Sequence, residues 1–495
     1  MSYRPDLLLV NVGGTRKKVY QNLSEDLAAI EPPFWAALTA DYVRRNGYEV
    51  LILDANAENM DIYETANAIG SINPKLTNIV VYGQHPSAST PLMDGVGKLC
   101  REIKRGDASL EIILTGLHPS ALPKRTMREE KCDYVGEGEG FYTLLGLLSN
   151  HDPRQIPGLW FREGNEINKG PMSKNVTNLD EELSSVAWDL LPMDKYRAHN
   201  WHCLNDLNSR ESYGALSTSL GCPFKCVFCC INTPFEKPGY REWSSEWTIK
   251  QIDNLVENYG VKNLKIIDEL FVLKPEHLLG VADKIIERGH KLNIWAYSRI
   301  DTAKEKYLDR LKRAGFNRLG IGIESGVNEI RKEAQKGKFQ DEQIIEVVKR
   351  IKSFDINIGA NYIFGLPHDT IKSMQETLDL AIELNCEWAN FYSAMAYPGS
   401  ALHRQSLEKG IILPEDGSGP GCIGYSQHSY ETLPLPTETL SPSQVLKFRD
   451  EAFNKYFTNP RYLNRVNEKF GPKAREHIEN MTKRNLKRKI LGDKL

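Results

Sequence analysis

The stretch GCPFKCVFCC, residues 221–230, holds four of the chain's nine cysteines within nine positions. It directly follows GALSTSL (214–220), an apolar run that is typical of a buried strand. Cys222, Cys226 and Cys229 are spaced C-x3-C-x2-C. Three thiolates this close can hold three corners of a metal cluster while the fourth corner stays open to a ligand.

The fourth cysteine of the stretch, Cys230, adjoins Cys229, so we expect its side chain to point away from the other three. The spacing alone leaves two alternatives open. One is a zinc site completed by His202 or Cys203, and the other is a set of buried thiols without metal.

Six apolar runs, each followed by a helical stretch, lie between about residues 212 and 403. Because no Rossmann glycine fingerprint follows the first run, the alternation predicts a partial (β/α)6 barrel over residues 206–405. The runs are GALSTSL (214–220), LKIIDEL (264–270), NIWAYSRI (293–300), RLGIGIES (318–325), INIGANYIFG (356–365) and EWANFYSAM (387–395).

A similar alternation precedes the cysteine loop, within residues 1–150. A helix is indicated at PPFWAALTADYVRRNG (32–47), which has Pro at its start and Gly at its stop. The pattern predicts an α/β, Rossmann-like domain with a doubly wound parallel sheet, whose ligand lies beyond the carboxyl ends of the strands. The apolar runs are DLLLVNV (6–12), EVLILDA (49–55), NIVVYG (78–83) and EIILTG (111–116).

Two further segments complete the predicted domain organisation. Residues 151–205 show little periodicity and are predicted to be a linker between the domains. Residues 406–495 open with LPEDGSGPG (413–421) and are predicted to form a small helical cap. The basic end of this cap is expected to be a solvated face rather than a binding patch; its cations are Lys483, Arg484, Lys487, Arg488 and Lys489.

Over roughly residues 212–403 the chain resembles the radical S-adenosylmethionine (SAM) superfamily. The signature of that family is C-x3-C-x2-C with an aromatic residue, here Phe228, before the last cysteine. Further matches follow in order: DEL (268–270), YSRID (297–301) on a strand counted as the fourth, GIGIESG (320–326) on the fifth, FGLPHDT (364–370) on the sixth, and YPGSAL (397–402) at the close.

The resemblance implies a 4Fe-4S cluster on the three cysteines and SAM bound beside it. SAM is a zwitterion, so acidic side chains suit its amino nitrogen and ribose hydroxyls, while Arg299 suits its carboxylate. The barrel must then shield the 5′-deoxyadenosyl radical that forms when SAM is cleaved. The implied SAM-binding residues are Phe228, Asp268, Glu269, Ser298, Arg299, Glu324, Ser325 and Gly326.

Residues 5 to 150 resemble the cobalamin-binding domain found ahead of many radical SAM domains. The match rests on two similar loops, GQHPSAS (83–89) and GLHPSAL (116–122), and on the glycine-rich turn DYVGEGEG (133–140). The implied cobalamin-binding residues are Thr15, Gln84, His85, Ser87, Ser89, Thr115, Gly116, His118, Gly136, Glu137 and Gly138.

The chain departs from classical cobalamin modules, which carry D-x-H-x-x-G with a histidine that ligates cobalt from below. Here the loop after the first strand reads GGTRKKVYQNL (13–23). His85 and His118 each precede Pro in a turn, so we expect structural roles for both. Without a lower ligand the cobalt would be four- or five-coordinate and easily reduced to cob(I)alamin.

This resemblance implies a cobalamin-dependent radical SAM enzyme that methylates an unactivated carbon through methylcobalamin and a 5′-deoxyadenosyl radical. One alternative is a cyclisation, ring contraction or rearrangement that uses cobalamin without methyl transfer. An alternative of another class is a zinc-stabilised binding protein. A methylthiolating transfer-RNA enzyme is disfavoured, because Cys100 and Cys132 stand alone where a second cysteine triad is needed.

Composition limits the partners. The net charge of −2 and pI near 6.6 give no reason to expect nucleic acid or a membrane. No run reaches ~18 apolar residues and the N-terminus lacks a signal-peptide layout, so a cytoplasmic protein without a transmembrane segment is expected.

We expect a small-molecule or small-peptide substrate, and an electron donor such as flavodoxin or ferredoxin. Asn390, Tyr392 and Tyr397 are candidate substrate contacts near the sixth strand. CIGYSQHSYETLPLP (422–436) is a candidate lid.

Overall fold

The computed structural model describes residues 4–235, 237–337 and 339–495 of the chain. Its first sheet has seven strands in the order β2-β1-β3-β4-β5-β6-β7. Strands β1 to β5 are parallel, and β6 and β7 continue the sheet in antiparallel pairs. The strands are β1 Leu7–Asn11, β2 Val50–Asp54, β3 Leu76–Val81, β4 Glu111–Gly116, β5 Tyr134–Gly136, β6 Leu159–Glu163 and β7 Glu166–Lys169.

The predicted doubly wound parallel sheet is confirmed, and the aliphatic side chains of β1 from Leu7 to Val10 are fully buried, as expected for a central strand covered on both faces. The order places the crossover between β1 and β3, where such sheets bind ligands. The helices are α1 Arg16–Tyr20, α2 Phe34–Arg45, α3 Ile62–Ile72, α4 Met93–Gly106, α5 Leu117–Ala121, α6 Pro123–Glu129 and α7 Phe141–Leu148.

The segment predicted to be a linker, residues 151–205, is more ordered than its weak periodicity indicates. Its first part supplies β6 and β7, which lie at one edge of the first sheet and therefore bury only part of each strand. The remainder holds α8 Leu179–Glu182 and runs between the two sheets, with Trp188 and Tyr196 fully buried.

The second sheet has six parallel strands in the order β8-β11-β12-β13-β14-β15 and forms the predicted partial barrel. The short β9 and β10 pair with each other outside it. The strands are β8 Tyr213–Leu216, β9 Ser219–Leu220, β10 Arg241–Glu242, β11 Asn263–Ile266, β12 Asn293–Arg299, β13 Phe316–Glu324, β14 Asn357–Phe364 and β15 Trp388–Ser393.

Three motifs lie one strand earlier in the barrel than predicted. Since β11 pairs directly with both β8 and β12, the strands that end in YSRID, GIGIESG and FGLPHDT are the third, fourth and fifth of the barrel. The barrel helices are α9 Ser245–Tyr259, α10 Pro275–Arg288, α11 Glu305–Arg313, α12 Asn328–Glu333, α13 Asp341–Ser353, α14 Ile371–Leu384 and α15 Ala401–Glu408.

The C-terminal helices pack against the β15 edge of the barrel. Tyr456 donates a hydrogen bond to the Cys386 carbonyl (2.6 Å), and Tyr462 donates to the Glu387 carbonyl (3.0 Å). The helices are α16 Pro442–Phe457, α17 Pro460–Phe470 and α18 Pro472–Thr482. Across the described ranges, no helix combines the length and the apolar character needed to cross a membrane.

The basic end of the chain is only in part the solvated face that its composition predicts, because its three lysines are exposed but its two arginines are not. The guanidinium of Arg488 is buried and pairs with Asp450 at 2.9 Å. Arg484 pairs with Asp26 of the first domain, and Lys489 pairs with Glu431. These acids lie far away in sequence, so local charge patterning could not reveal the pairs.

Candidate active site

A cavity of about 430 Å³ lies where the mouth of the barrel faces the first sheet. All three triad cysteines line it, together with Gln84, His85 and Ser87 from the loop after β3. Both sheets therefore present loops at the carboxyl ends of their strands to one enclosed space, the position at which α/β folds bind ligands.

The cysteine loop is held by side chains outside the triad. Asn232 accepts a hydrogen bond from the Cys222 amide (3.1 Å) and donates to the Cys222 carbonyl (3.0 Å). The amide of Cys229 donates to the Cys226 carbonyl (3.1 Å), which closes a tight turn. All three thiols are half-buried. Burial raises the pKa of the Cys222 thiol to about 11, so metal binding must displace its proton.

The fourth cysteine behaves as expected. Cys230 is buried and packs with Met395, Tyr397 and Tyr425 in a small apolar cluster. It also lines the cavity, but its side chain belongs to this packing cluster.

The two residues considered as completing a zinc site lie at the other end of the barrel. His202 shares a hydrogen bond with the carbonyl of Asn293 (3.0 Å), and Cys203 donates to Asn263 Oδ1 (3.4 Å). Asn263 and Asn293 begin β11 and β12, whereas the triad follows the carboxyl end of β8. Within the described residues, no three His, Cys, Asp or Glu side chains are arranged to hold a single metal ion.

Asp268 and Glu269, the acidic pair after β11, have separate surroundings. The carboxylate of Asp268 accepts hydrogen bonds from the amide and hydroxyl of Thr218 (2.6 and 2.7 Å) and from the hydroxyl of Ser219 (2.6 Å). Glu269 instead lines the cavity, and burial raises the pKa of its carboxyl group to about 8. The structure thus brings Glu269, but not Asp268, to the cavity that the cysteine triad lines.

Arg299 reaches the cysteine loop from the end of β12. Its Nη1 lies 3.8 Å from Cys226 Sγ, and its guanidinium lies 3.8 Å from the centre of the Phe224 ring. Asp301 fixes the guanidinium through two bonds of 2.8 and 3.0 Å. A delocalised cation beside a thiol suits an anionic cluster, so the charge here fits iron–sulfur ligation.

Glu324 ends β13 in a left-handed backbone conformation, with φ of 70°. Its carboxylate lies 2.7 Å from Lys336 Nζ, and both side chains line the cavity. Positive φ is uncommon for a residue with a long side chain, and such strain clusters at functional sites.

Of the other expected SAM contacts, two line the cavity and two do not. Phe228 and Ser298 line the cavity. Ser325 and Gly326 do not; the Gly326 amide donates to Thr377 Oγ1 (2.9 Å), and a Cβ at Gly326 would lie 2.8 Å from the Glu376 carbonyl oxygen. The described structure therefore gives these two residues packing roles against α14.

The expected cobalamin contacts are only partly brought together. Gln84, His85 and Ser87 line the large cavity, and Thr15 and Gln84 line a second one of about 100 Å³ at the ends of β1 and β3. The remaining expected residues are not among those that line either cavity in the described part of the chain: Ser89, Thr115, Gly116, His118, Gly136, Glu137 and Gly138.

These remaining residues have partners that explain their positions. Ser89 Oγ accepts from the Gly83 amide (2.9 Å), and Thr115 donates to Asn78 Oδ1 (2.9 Å). The carboxylate of Glu137 accepts a hydrogen bond from the Trp160 indole (2.6 Å). Trp160 belongs to β6, in the segment that was predicted to be a linker. His118 is buried with Nδ1 3.4 Å from Thr90 Oγ1, which agrees with its expected structural role.

The glycines of this group lie where a side chain would be strained or would meet neighbouring atoms. Gly116 has φ of 124°, and a Cβ there would lie 2.4 Å from the Val81 carbonyl oxygen. Gly138 has φ of 97° and donates its amide to Ser120 Oγ (3.1 Å). Gly136 packs against the Thr115 methyl group.

The candidate substrate residues lie where they were expected. Asn390, Tyr392 and Tyr397 all line the cavity. Asn390 donates to Asn361 Oδ1 (2.8 Å) and accepts from the Trp388 indole (2.9 Å). The candidate lid contributes Gln427 and His428 to the same wall.

Sequence reasoning missed a buried ion pair between the domains. Lys265 of β11 lies 2.8 Å from Glu31, which precedes α2 of the first domain, and the two side chains are 2% and 8% exposed. The available signal was a lysine inside an apolar strand, LKII (264–267). Its partner could not be found, because Glu31 is 234 residues away.

The residues at this site fit the groups that the two domains bind. Three half-buried thiols beside Arg299 suit an iron–sulfur cluster. Two buried atoms of the cavity wall, Ser393 Oγ and Trp295 Nε1, have no hydrogen-bond partner among the described residues, as expected for a wall that meets a ligand.

Comparisons with known proteins agree with this geometry. The family model of the Radical SAM superfamily matches residues 216–381, and that of the B12 binding domain matches residues 23–148. An uncharacterized methyltransferase of Pyrococcus horikoshii is 28% identical over 437 residues, which are 87% of this chain and 89% of that protein.

Two further likenesses span most of the chain. The anaerobic magnesium-protoporphyrin IX monomethyl ester cyclase of Rubrivivax gelatinosus is 21% identical over 90% of this chain and 77% of its own length. The solved structure of the radical S-adenosylmethionine methyltransferase TsrM from Kitasatospora setae has the same fold, with a TM-score of 0.68, 16% identity, and coverage of 96% of this chain and 98% of that one.

Proposed function

We propose that this chain, a member of the radical SAM enzymes that carry a B12 binding domain, methylates an unactivated carbon of a small molecule or small peptide. The observation that carries the proposal is that one cavity is lined both by the cysteine triad and by the loop after β3 of the B12 binding domain. The methyltransferase relative from Pyrococcus horikoshii supports it.

The bound groups supply the chemistry: the 4Fe-4S cluster and SAM give a carbon-centred radical, and cobalamin carries a methyl group. The chain holds these groups and shapes the space between them. Cys222, Cys226 and Cys229 would hold the cluster. Glu269 would accept hydrogen bonds from the SAM amino group or ribose, and Arg299 would offer its guanidinium to the SAM carboxylate.

The pairing of charged side chains in the cavity wall supports a substrate that carries no anionic group. Each cation of the described wall already has an acidic partner: Lys265 with Glu31, Arg299 with Asp301, Lys336 with Glu324, and Arg449 with Asp450. The polar groups of the described wall that have no partner include the hydroxyl of Ser393 and the indole N–H of Trp295. Neutral polar groups in an apolar wall orient an uncharged ligand.

Product analysis of the reconstituted enzyme tests the proposal. Methyl transfer by this route consumes two SAM molecules, so S-adenosylhomocysteine and 5′-deoxyadenosine should accumulate together, each dependent on the reductant. As electron donor we propose a flavodoxin or ferredoxin, which should replace a chemical reductant in the assay. Formation of 5′-deoxyadenosine without S-adenosylhomocysteine in the presence of a turned-over substrate would contradict methylation.

The second candidate is a cyclisation, ring contraction or rearrangement without methyl transfer. Its support is the likeness to the cyclase of Rubrivivax gelatinosus over most of both chains. The same assay separates the two, because this reaction yields no S-adenosylhomocysteine.

A further inference from the structure

His85 is one of the residues of the first domain that line the cavity. It lies in the loop after β3, beside the crossover between β1 and β3. Its side chain is exposed and lines the cavity.

One ring nitrogen of His85 is fixed and the other is available. Nδ1 lies 2.6 Å from the hydroxyl of Ser87. Nε2 has no hydrogen-bond partner among the described residues. A histidine that ligates a metal characteristically has its second nitrogen hydrogen-bonded in this way, because that bond fixes the tautomer and the orientation of the ring.

The other imidazoles near the cavity are placed differently. His428 comes from the candidate lid and packs against Tyr20, with ring centres 5.8 Å apart. His199 accepts a hydrogen bond on Nδ1 from the Trp201 amide (3.3 Å). His118 is buried beside Thr90 and is not part of the described wall. Among these four, His85 alone extends from the carboxyl edge of the B12 binding sheet into the cavity.

We propose that Nε2 of His85 is an axial ligand of the cobalt in bound cobalamin, supplied from the side of the first sheet. The nitrogen donates its lone pair to cobalt and displaces at most a water molecule, so no electron is transferred in forming the bond. This role differs from two expectations from the sequence, namely that His85 is structural and that the cobalt has no lower ligand. It rests on cobalamin binding and not on methyl transfer.

Electron paramagnetic resonance of the holoenzyme in the cob(II)alamin state tests the bond directly. Protein made with nitrogen-15 histidine and ordinary cobalamin should show two-line nitrogen splitting, and unlabelled protein should show three lines. A three-line pattern that persists after labelling would assign the ligand to the cofactor's own base. That result, or no nitrogen splitting at all, would overturn the proposal.

Two variants complete the test. His85→Ala should lose the histidine splitting and make cob(II)alamin easier to reduce, since cob(I)alamin holds no axial ligand. The matched control, His428→Ala, should keep the splitting. If the histidine splitting disappeared in His428→Ala and persisted in His85→Ala, the assignment to His85 would be wrong.

The unfolding temperature and the cobalamin content of both variants separate loss of the bond from loss of the fold. Failure of the wild-type holoenzyme to retain cobalamin would also overturn the proposal. Intact histidine splitting without S-adenosylhomocysteine would instead contradict methylation alone.

Discussion

At the scale of single residues, adjacent positions in the cysteine stretch have opposite roles. Cys226→Ala should abolish cluster assembly, because two thiolates cannot hold three irons of the cluster. Iron and sulfide content per chain, with the iron–sulfur absorbance, measures this. The matched variant Cys230→Ala removes a thiol that packs on Met395 and Tyr397, so it should keep the cluster. Loss of iron in Cys230→Ala would contradict the assignment.

Glu269 should make stability depend on pH. Burial raises its pKa from 4.5 to about 8, so the folded chain keeps a proton that the unfolded chain releases. The free energy of unfolding should therefore fall as pH rises from about 5 to 8, by ~2 kcal/mol after allowance for water in the cavity. Denaturant unfolding without SAM, compared between wild type and Glu269→Gln at both pH values, measures the difference. If the unfolding free energy changed equally with pH in the two proteins, Glu269 would not be the source of the pH dependence.

At the scale of elements, Asp268 joins the end of β11 to the turn that leads from β8 to the cysteine loop. Asp268→Asn replaces a carboxylate that accepts three short hydrogen bonds by an amide that also donates. We expect a loss of about 1–3 kcal/mol in unfolding free energy.

Glu269→Gln is the control for this substitution, since it alters the neighbouring acid that faces the cavity. It should weaken SAM binding to the folded holoenzyme more than Asp268→Asn does, as measured by equilibrium dialysis. The reverse order would place Asp268 at the SAM site.

Several elements were predictable because their signals are local. Strands β1 to β4, the six strands of the barrel sheet and the start of α2 follow from apolar runs bounded by Gly and Pro. The β6–β7 hairpin was missed because an edge strand buries only one face, so its apolar pattern is weak. The packing role of Gly326 was also hidden, since it depends on the Glu376 carbonyl of α14.

At the scale of the whole molecule, the Glu31–Lys265 pair links the two domains beside the cavity. Glu31→Gln leaves the Lys265 ammonium buried without a counter-charge and should cost about 3–5 kcal/mol of unfolding free energy. The double variant Glu31→Gln/Lys265→Met should recover part of this loss. Chemical denaturation measures both.

A matched control lies in the first domain. The Lys75–Asp6 pair spans 2.6 Å, but the Lys75 side chain is 60% exposed. Lys75→Ala should change the unfolding free energy by at most about 1 kcal/mol, because solvent screens exposed pairs. A comparable effect of Glu31→Gln would show that the interdomain pair contributes little.

The sequence by itself determined the two α/β sheets, the cysteine triad and the order of the two domains, because a loop of nine residues and runs of apolar side chains encode these features locally. Only the tertiary structure decided which candidate residues meet. It directed Glu269 to the cavity and Asp268 to Thr218, paired Lys265 with Glu31, and placed His85 in the wall of the same cavity as the cysteines. The physical reason is that hydrogen bonds and ion pairs between distant segments fix the direction of each side chain, and no local pattern of residues records those partners.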